Sequence, residues 1–378
     1  MIFQTVNWMR EVDLTTIIGI ISTFISLLLA IFIFSVESKN KISNKLFASF
    51  LVLNALEFSG WFTHFFSNIP NNILIAKILL AYLPMPIFYL YVLSVCYSDF
   101  KLKWNHLWHI TPYLIANLIF IPRFYLSDAS QKMKLFRNYN ELYEIIFLQV
   151  SIHLQIIIYI TAGFIVLNRA RKIFIENYSS NTLETYKWLF QLLLFSAILY
   201  GIALVKNILK YSGQQDIFHT SQIIVGLIVL SVVCWYVLKA LRYPNLFCGV
   251  NSKTKLVTTL IDEKATVNSE EIEQLTSYME TEKPYLNPSL SIRNLAEEIE
   301  MNSRNLSILI NQKLNQHFFD FVNEYRIKEA MEILGNPTKK EVTILEILYE
   351  VGFNSKSSFN TAFKKHTGKT PTEFRKST

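Results

Sequence analysis

Seven apolar runs occupy the first two thirds of the chain, and each is long enough to cross a lipid bilayer as a helix. A bilayer core of ~30 Å takes about 20 apolar residues. Leu14–Val36 is a run of 23 without a charge, followed by Leu46–Ser67, Ile73–Tyr97, Leu107–Tyr125, Ile145–Leu167, Trp188–Ile208 and Ser221–Leu241. The whole chain is 51% hydrophobic and 17% charged, whereas a soluble domain carries roughly 25% charged residues. Those proportions exclude a soluble two-domain enzyme and a disordered chain. Three cysteines, Cys96, Cys234 and Cys248, show no CxxC spacing, so neither a disulfide framework nor a zinc site is expected. The first run is too long for a signal-peptide core and reads as a retained anchor.

Charge divides the chain in two. Residues 1–250 hold 19 Lys and Arg against 11 Asp and Glu, and residues 251–378 hold 17 against 18. The basic surplus therefore sits in the apolar half, where it reports topology rather than affinity for nucleic acid. With the N-terminus outside, the inward loops carry ten Lys and Arg and the outward segments six. This bias favours a cytoplasmic C-terminal tail.

Few polar groups interrupt the apolar runs. Glu57 and His64 lie seven residues apart on one face of the second span, with Trp61 between them, near a kink expected at Pro84 and Pro86. An intramembrane acid usually faces a bundle interior. Glu57 and His64 are therefore candidate sensing residues, the alternative being a Glu57–Lys77 pair that holds two helices together. His106 and His109 have metal-compatible spacing but read as a wet interfacial pair. No metal, no cofactor and no catalytic constellation is expected, so the chain does not read as an enzyme.

Arg242-Tyr-Pro ends the last span, and residues 243–283 read as a linker followed by an acidic connector helix, Ser269–Glu282. Asn268 is its expected cap, and Ile272, Leu275, Tyr278 and Met279 share one face. That helix suits a rigid connector or a seam with a second copy.

The last 95 residues repeat one plan. Ser291 caps a short helix with Ile292, Leu295, Ala296 and Ile299 inward, and Asn302 caps a second with Leu306, Leu309, Ile310 and Leu314 inward. Farther on, Ile344, Ile347, Leu348 and Val351 face inward, Gly352 turns, and Ser355 caps a helix with Phe359, Ala362 and Phe363 inward. A longer amphipathic helix, about His317–Leu334, lies between the two units. Two helix-turn-helix units in tandem offer two helices to successive major grooves, about 34 Å apart. Gly352–Lys376 is strongly basic, as phosphate contact requires.

These residues carry a resemblance. Pro284–Arg375 resembles the AraC-type DNA-binding domain of bacterial transcription regulators. The match rests on Ile347, Val351-Gly352-Phe353, Ser355, Ser358, Phe359, Phe363-Lys364-Lys365, Gly368, Thr370-Pro371 and Phe374-Arg375. Leu295-Ala296 and Tyr325-Arg326, with Ala330 and Leu334, extend it. The apolar half is similar in architecture alone to the multi-span sensor halves of some members. Two departures stand out. Leu348 replaces the usual Ala, which implies wider helix packing, and Glu300 replaces the usual turn glycine, which is tolerable at negative φ.

The resemblance implies that positions early on each second helix face bases: Ser303, Arg304, Ser307 and Ile308 in the first unit, and Lys356, Ser357, Asn360 and Thr361 in the second. Arg304 and Lys356 suit guanine, and Asn360 suits adenine. Ile308 either meets a thymine methyl or packs. Lys364, Lys365, Lys369 and Arg375 are the expected phosphate contacts. The expected architecture is all-α: a seven-helix transmembrane sensor bundle over residues 1–242, then a cytoplasmic helical domain with two helix-turn-helix units over 284–378. The expected function is a membrane-bound, sequence-specific transcription regulator of the bacterial cytoplasmic membrane. Its expected partners are double-stranded DNA, the lipid bilayer, a second copy in a homodimer, and a signal ligand or membrane partner. The alternative is a seven-span transporter or receptor whose tail binds a protein.

Overall fold

The computed structural model describes residues 13–35, 41–63, 71–137, 142–179, 183–209, 215–242, 269–339 and 341–377. These are helical throughout, apart from turns and isolated bridges such as the antiparallel one between Tyr178 and Ser291. The chain divides into two compact units. Residues up to 167 together with 188–249 form the first, and 168–187 together with 250–378 form the second.

The first unit holds α1 (Leu14–Ser35), α2 (Lys41–Phe58), α3 (Asn71–Leu79), α4 (Pro84–Cys96), α5 (Thr111–Phe120), α6 (Ala129–Arg137), most of α7 (Tyr143–Asn177), most of α8 (Leu183–Leu209) and α9 (Gln215–Arg242). Its outward surface is apolar: Phe24, Ile31, Phe34, Leu118, Val150 and Ile165 are all well exposed. Polar contacts lie inside instead. Ser94 donates to Ser43 at 2.9 Å, Gln155 to the Tyr82 carbonyl at 3.1 Å, and Asn44 to the Ile33 carbonyl at 3.3 Å. Apolar outside with hydrogen bonds between helices is the arrangement expected of helices packed in lipid.

Among the described residues, five helical segments are long and apolar enough to cross a membrane by length and composition: Leu14–Ser35, Asn72–Cys96, Tyr143–Asn177, Thr185–Leu209 and Ile217–Tyr236. These coincide with five of the seven expected runs. The other two differ for local reasons. Helix α2 carries Lys41, Lys45 and Glu57 within its 18 residues. The run from Leu107 to Tyr125 is divided into a 3₁₀ stretch (Trp104–Ile110), the ten-residue α5 and a π-helical turn (Ile121–Tyr125). Pro112 and Pro122 lie at the starts of the last two pieces and supply no N–H there. At 1.5 Å per residue α5 is only about 15 Å long. The expected kink in the third run is present: α3 passes through a 3₁₀ turn (Leu80–Tyr82), and α4 restarts with Pro84 in its first turn.

The second unit begins with the end of α7 and the start of α8. It continues through α10 (Ser269–Thr281), α11 (Ile292–Glu298), α12 (Ser303–Ile308), α13 (Phe318–Gly335), α14 (Ile344–Glu350), α15 (Lys356–Thr367) and α16 (Pro371–Ser377). Two cores sit on either side of α13. Leu295, Leu306, Leu309, Ile310, Phe318 and Val322 fill the first. Ile327, Ala330, Ile347, Leu348, Phe359 and Phe363 fill the second. Helix α10 buries Leu275 and Met279 in the first core, with Ile272 and Tyr278 beside them. The face read from sequence as a connector or a seam is thus covered from within the same unit. Its expected cap, Asn268, lies outside the described residues.

Candidate nucleic-acid interface

Both helix-turn-helix units close their first helix in the same way. In the first, the Met301 N–H bonds the Ala296 carbonyl at 2.8 Å and the Glu300 N–H bonds Glu297 at 3.4 Å. In the second, the Phe353 N–H bonds Leu348 at 2.8 Å and the Gly352 N–H bonds Tyr349 at 3.1 Å. This double closure places the residue after the C-cap in the left-handed region. Gly352 has φ +85° and Glu300 φ +55°. The condition set from sequence for Glu300, a negative φ, is therefore not met, and a left-handed turn costs a residue with a Cβ about 1–2 kcal/mol. Gly352 is constrained a second time, because a Cβ there would lie 2.7 Å from the carbonyl oxygens of Tyr285 and Leu286.

The second helices are capped as the sequence indicates. Asn302 Oδ1 accepts from the Arg304 N–H at 2.8 Å, and Ser355 Oγ accepts from the Ser358 N–H at 3.3 Å. Beyond the caps the two units diverge. Helix α15 buries Phe359, Ala362 and Phe363 while Lys356, Ser357 and Thr361 are exposed and Asn360 is half-buried. One polar face stands opposite one apolar face, as groove insertion requires. Helix α12 ends at Ile308 and continues as a π-helical turn, Leu309–Lys313. Leu306 to Ile310 are five consecutive buried residues. Five residues exceed one turn of 3.6, so the helix is enclosed on every side at that level. Ser303 is exposed and Arg304 half-buried, but Ser307 is 3% and Ile308 4% exposed. Both of these positions, expected from sequence to face bases, are thus buried here.

The expected phosphate contacts also separate. Lys364 is exposed on the last turn of α15. Lys365 pairs with Asp320 on α13 at 2.5 Å. Lys369 donates to Ser377 Oγ at 3.1 Å. Arg375 is half-buried, and its Nη2 donates to the Val342 carbonyl at 2.7 Å, tying α16 to the loop before α14. Lys364 and Lys369 remain on the surface, whereas Arg375 closes the fold.

The residue that organises this unit was visible in the sequence only as a family match. Arg326 on α13 is fully buried. Its guanidinium donates to the carbonyls of Tyr285 (2.7 Å), Asn287 (2.8 Å) and Ser179 (2.9 Å), and to Ser179 Oγ (3.3 Å). It lies 5.6 Å from the Phe353 ring centroid. Burial pulls its pKa down to about 10, which leaves it charged at neutral pH. From Phe353 an aromatic series continues through Phe359, Phe363 and Phe374, with ring centroids 5.2–5.6 Å apart. Arg326 thereby joins the α7–α8 segment, the turn before α11 and the turn before α15.

Of the two expected sensing residues, Glu57 lies on the last turn of α2 and lines one cavity with Lys206 of α8. No ion pair joins Glu57 to Lys77 among the described residues. His64 lies outside the described residues. His109 Nδ1 and the Tyr159 hydroxyl share a hydrogen bond at 2.6 Å, and the His106 ring stacks on His109.

Residues 295–377 match a family model described as a helix-turn-helix domain. The uncharacterized transcriptional regulatory protein YesN of Bacillus subtilis is 35% identical over 92 residues, 24% of this chain and 24% of that protein. The Msm operon regulatory protein of Streptococcus mutans is 28% identical over 127 residues, 32% of this chain and 45% of that protein. The chain thus spans a quarter to under half of the length of these curated relatives. Among solved structures, the C-terminal domain of AraT, a response regulator from Geobacillus stearothermophilus, aligns with 25% identity and a TM-score of 0.26. That alignment covers 30% of this chain and 89% of that one. Residues 295–377 of the chain are therefore a helix-turn-helix domain of the AraC type.

Proposed function

We propose that the chain is a membrane-held, sequence-specific DNA-binding regulator of transcription. The observation that carries this reading is helix α15: a capped helix with a polar face at Lys356, Ser357, Asn360 and Thr361, a buried opposite face, and Lys364 on its last turn. In this reading Lys356 and Asn360 read base edges, and Lys364 and Lys369 meet phosphates. In the first unit Ser303, Arg304, Ser307 and Ile308 are read as the base-facing positions, of which Ser303 and Arg304 are accessible here.

The apolar half is read as the sensor, crossing the bilayer seven times with the N-terminus outside. Helix α2 and the broken segment 104–125 supply the two crossings beyond the five long helices. Support comes from the outward apolar surface and from the membership of residues 168–187 in the same unit as the DNA-binding helices. That segment is an inward loop in this topology, so it shares the cytoplasmic side with the tail. The signal then travels along α7 and α8 to Ser179, through Arg326 to Phe353, and on to α15. Two copies held in one membrane raise each other's effective concentration at a paired site.

Binding-site selection with residues 269–378 tests the DNA reading. A recovered motif that Lys356→Ala relaxes supports it. No enrichment over random DNA contradicts it.

A further inference from the structure

A groove of ≈ 590 Å³ opens on the surface of the first unit between α1, α2 and the start of α4. Small side chains floor it: Ala30 of α1 and Ala48 of α2, both buried. Ile31, Phe34 and Val52 stand exposed along its rims. Leu83 and Ile87 line it from the kink at Pro84 and Pro86. On α1 the lining runs from Leu27 to Ser35, a rise of about 12 Å at 1.5 Å per residue. A bilayer core of ~30 Å gives each leaflet about 15 Å, so the groove is close to one leaflet deep.

Charge lies beyond one end of it. On α2 the lining positions Ala48, Ser49, Val52 and Leu53 form one stripe. At helical spacing that stripe continues toward the helix start through Lys45, one turn before Ser49, and Lys41, one turn before Lys45. Both lysines are exposed, and neither has an ion pair among the described residues. Two ammonium groups at i and i+4 repel each other, and an anion between them removes that cost. Lys41 is also the first residue of an 18-residue helix, where the positive end of the dipole favours an anion. With the N-terminus outside, this end of α2 is cytoplasmic, the side on which anionic lipids attract basic residues.

Apolar and charged parts act differently on a lipid. An acyl chain gains little by moving from the bilayer into the groove, since both are apolar. The groove therefore fixes position, and the head group decides which lipid is held. A zwitterionic head group would bring its own ammonium to two lysines. A head group with a phosphate and no cation would not.

We infer that the groove seats one acyl chain of an anionic phospholipid of the cytoplasmic leaflet, with its phosphate between Lys41 and Lys45. This inference rests on the reading of the apolar half as membrane-spanning.

The test uses the full chain in nanodiscs of phosphatidylglycerol mixed equally with phosphatidylcholine. One or the other lipid carries a diazirine midway along a chain, and photo-cross-linked peptides are mapped by mass spectrometry. The phosphatidylglycerol probe should label residues 27–35 and 48–53 about tenfold more than the phosphatidylcholine probe does. Ile157 and Ile158, exposed in the middle of α7, should be labelled by both alike. Lys41→Gln with Lys45→Gln should bring the two probes level in the groove and leave α7 labelling unchanged, which a misfolded chain would not. Ala48→Phe, which fills the floor, should lower groove labelling by both probes. Equal labelling of the groove in the unaltered chain overturns the proposal, as does a preference that survives loss of both lysines. A groove unlabelled by either probe because a second copy covers it overturns it too. Absence of labelling at Ile157 and Ile158 would instead remove the membrane reading itself, so the two failures are told apart.

Discussion

Arg326 and Ser179 are 147 residues apart in the chain and meet through two hydrogen bonds, Nη1 to the Ser179 carbonyl at 2.9 Å and Nη2 to its Oγ at 3.3 Å. The Ser179 hydroxyl in turn donates to the Leu290 carbonyl at 2.6 Å, and the Ser179 N–H bonds the same oxygen at 3.3 Å. No carboxylate accompanies the buried guanidinium in these contacts. Three backbone carbonyls, the Asn323 side-chain oxygen, the Ser179 hydroxyl and the Phe353 ring stabilise its charge, and the α7–α8 segment supplies one of those backbone carbonyls.

Ser179→Ala removes the hydroxyl from this arrangement and should cost about 1–2 kcal/mol locally. Hydrogen exchange of the backbone amides around Leu290 in the full chain should quicken by roughly 5–30-fold, the equivalent of that energy. Arg326→Lys keeps a charge but cannot reach three carbonyls at once, so it should quicken exchange across both cores. Unchanged exchange in both variants would remove the proposed link between the loop and the DNA-binding helices.

Glu300→Gly should stabilise the second unit by about 1 kcal/mol, because it relieves a left-handed φ at an exposed turn. Gly352→Ala should do the opposite, and by more, since it meets both an unfavourable φ and two carbonyl oxygens at 2.7 Å. Urea unfolding of residues 269–378 reads both changes as shifts in midpoint.

The caps and the inward positions of both units were legible in the sequence because they depend on residues three or four apart. Ser291, Asn302 and Ser355 cap as their spacing indicates, and Phe359 and Phe363 are buried as their period requires. The enclosure of Ser307 and Ile308 was not legible. The two residues directly precede a π-helical turn, Leu309–Lys313, that helical periodicity does not encode. Lys365 with Asp320, Arg375 with Val342, and Arg326 with Ser179 are tertiary pairs separated by 45, 33 and 147 residues. No local pattern announces them. In the apolar half, hydropathy found the long helices but not the interruption at Pro112 and Pro122, since apolar content is blind to a missing N–H.

The two second helices should respond differently to substitution. Lys356→Ala and Asn360→Ala should each cost about 1–3 kcal/mol on the preferred site and relax its sequence. Ile308→Ala should lower stability, as loss of a buried side chain does, while leaving the preference of the α15 half-site intact. Lys364→Ala should flatten the salt dependence by about one unit of slope. Lys365→Ala should flatten it less, because Asp320 already neutralises that charge. Anisotropy titrations across a salt series separate these cases.

Acid should weaken the second unit. Glu346 and Glu373 accept backbone hydrogen bonds from Thr343 and Thr370, which lower their pKa values. Burial alone would raise Glu329, but hydrogen bonds from Lys283 and Tyr285 outweigh it and bring that carboxyl down as well. In all three the folded state holds its proton less tightly than the unfolded chain does. Their contribution is present above the unfolded carboxylate value of about 4.3 and is lost as pH falls through the lowered folded values. The urea midpoint of residues 269–378 should therefore drop below about pH 4.5, and Glu346→Gln should reduce the slope of that drop.

The central claim joins a membrane, a side of that membrane and a DNA sequence, and one measurement addresses all three. Membrane vesicles bearing the full chain are prepared with either the cytoplasmic or the outer face exposed, then mixed with labelled duplexes carrying the selected site or a scrambled one. Vesicles with the cytoplasmic face outward should retain the selected duplex, and Lys356→Ala should lower that retention. Retention by the opposite orientation, or equal retention of the scrambled duplex, would contradict the account.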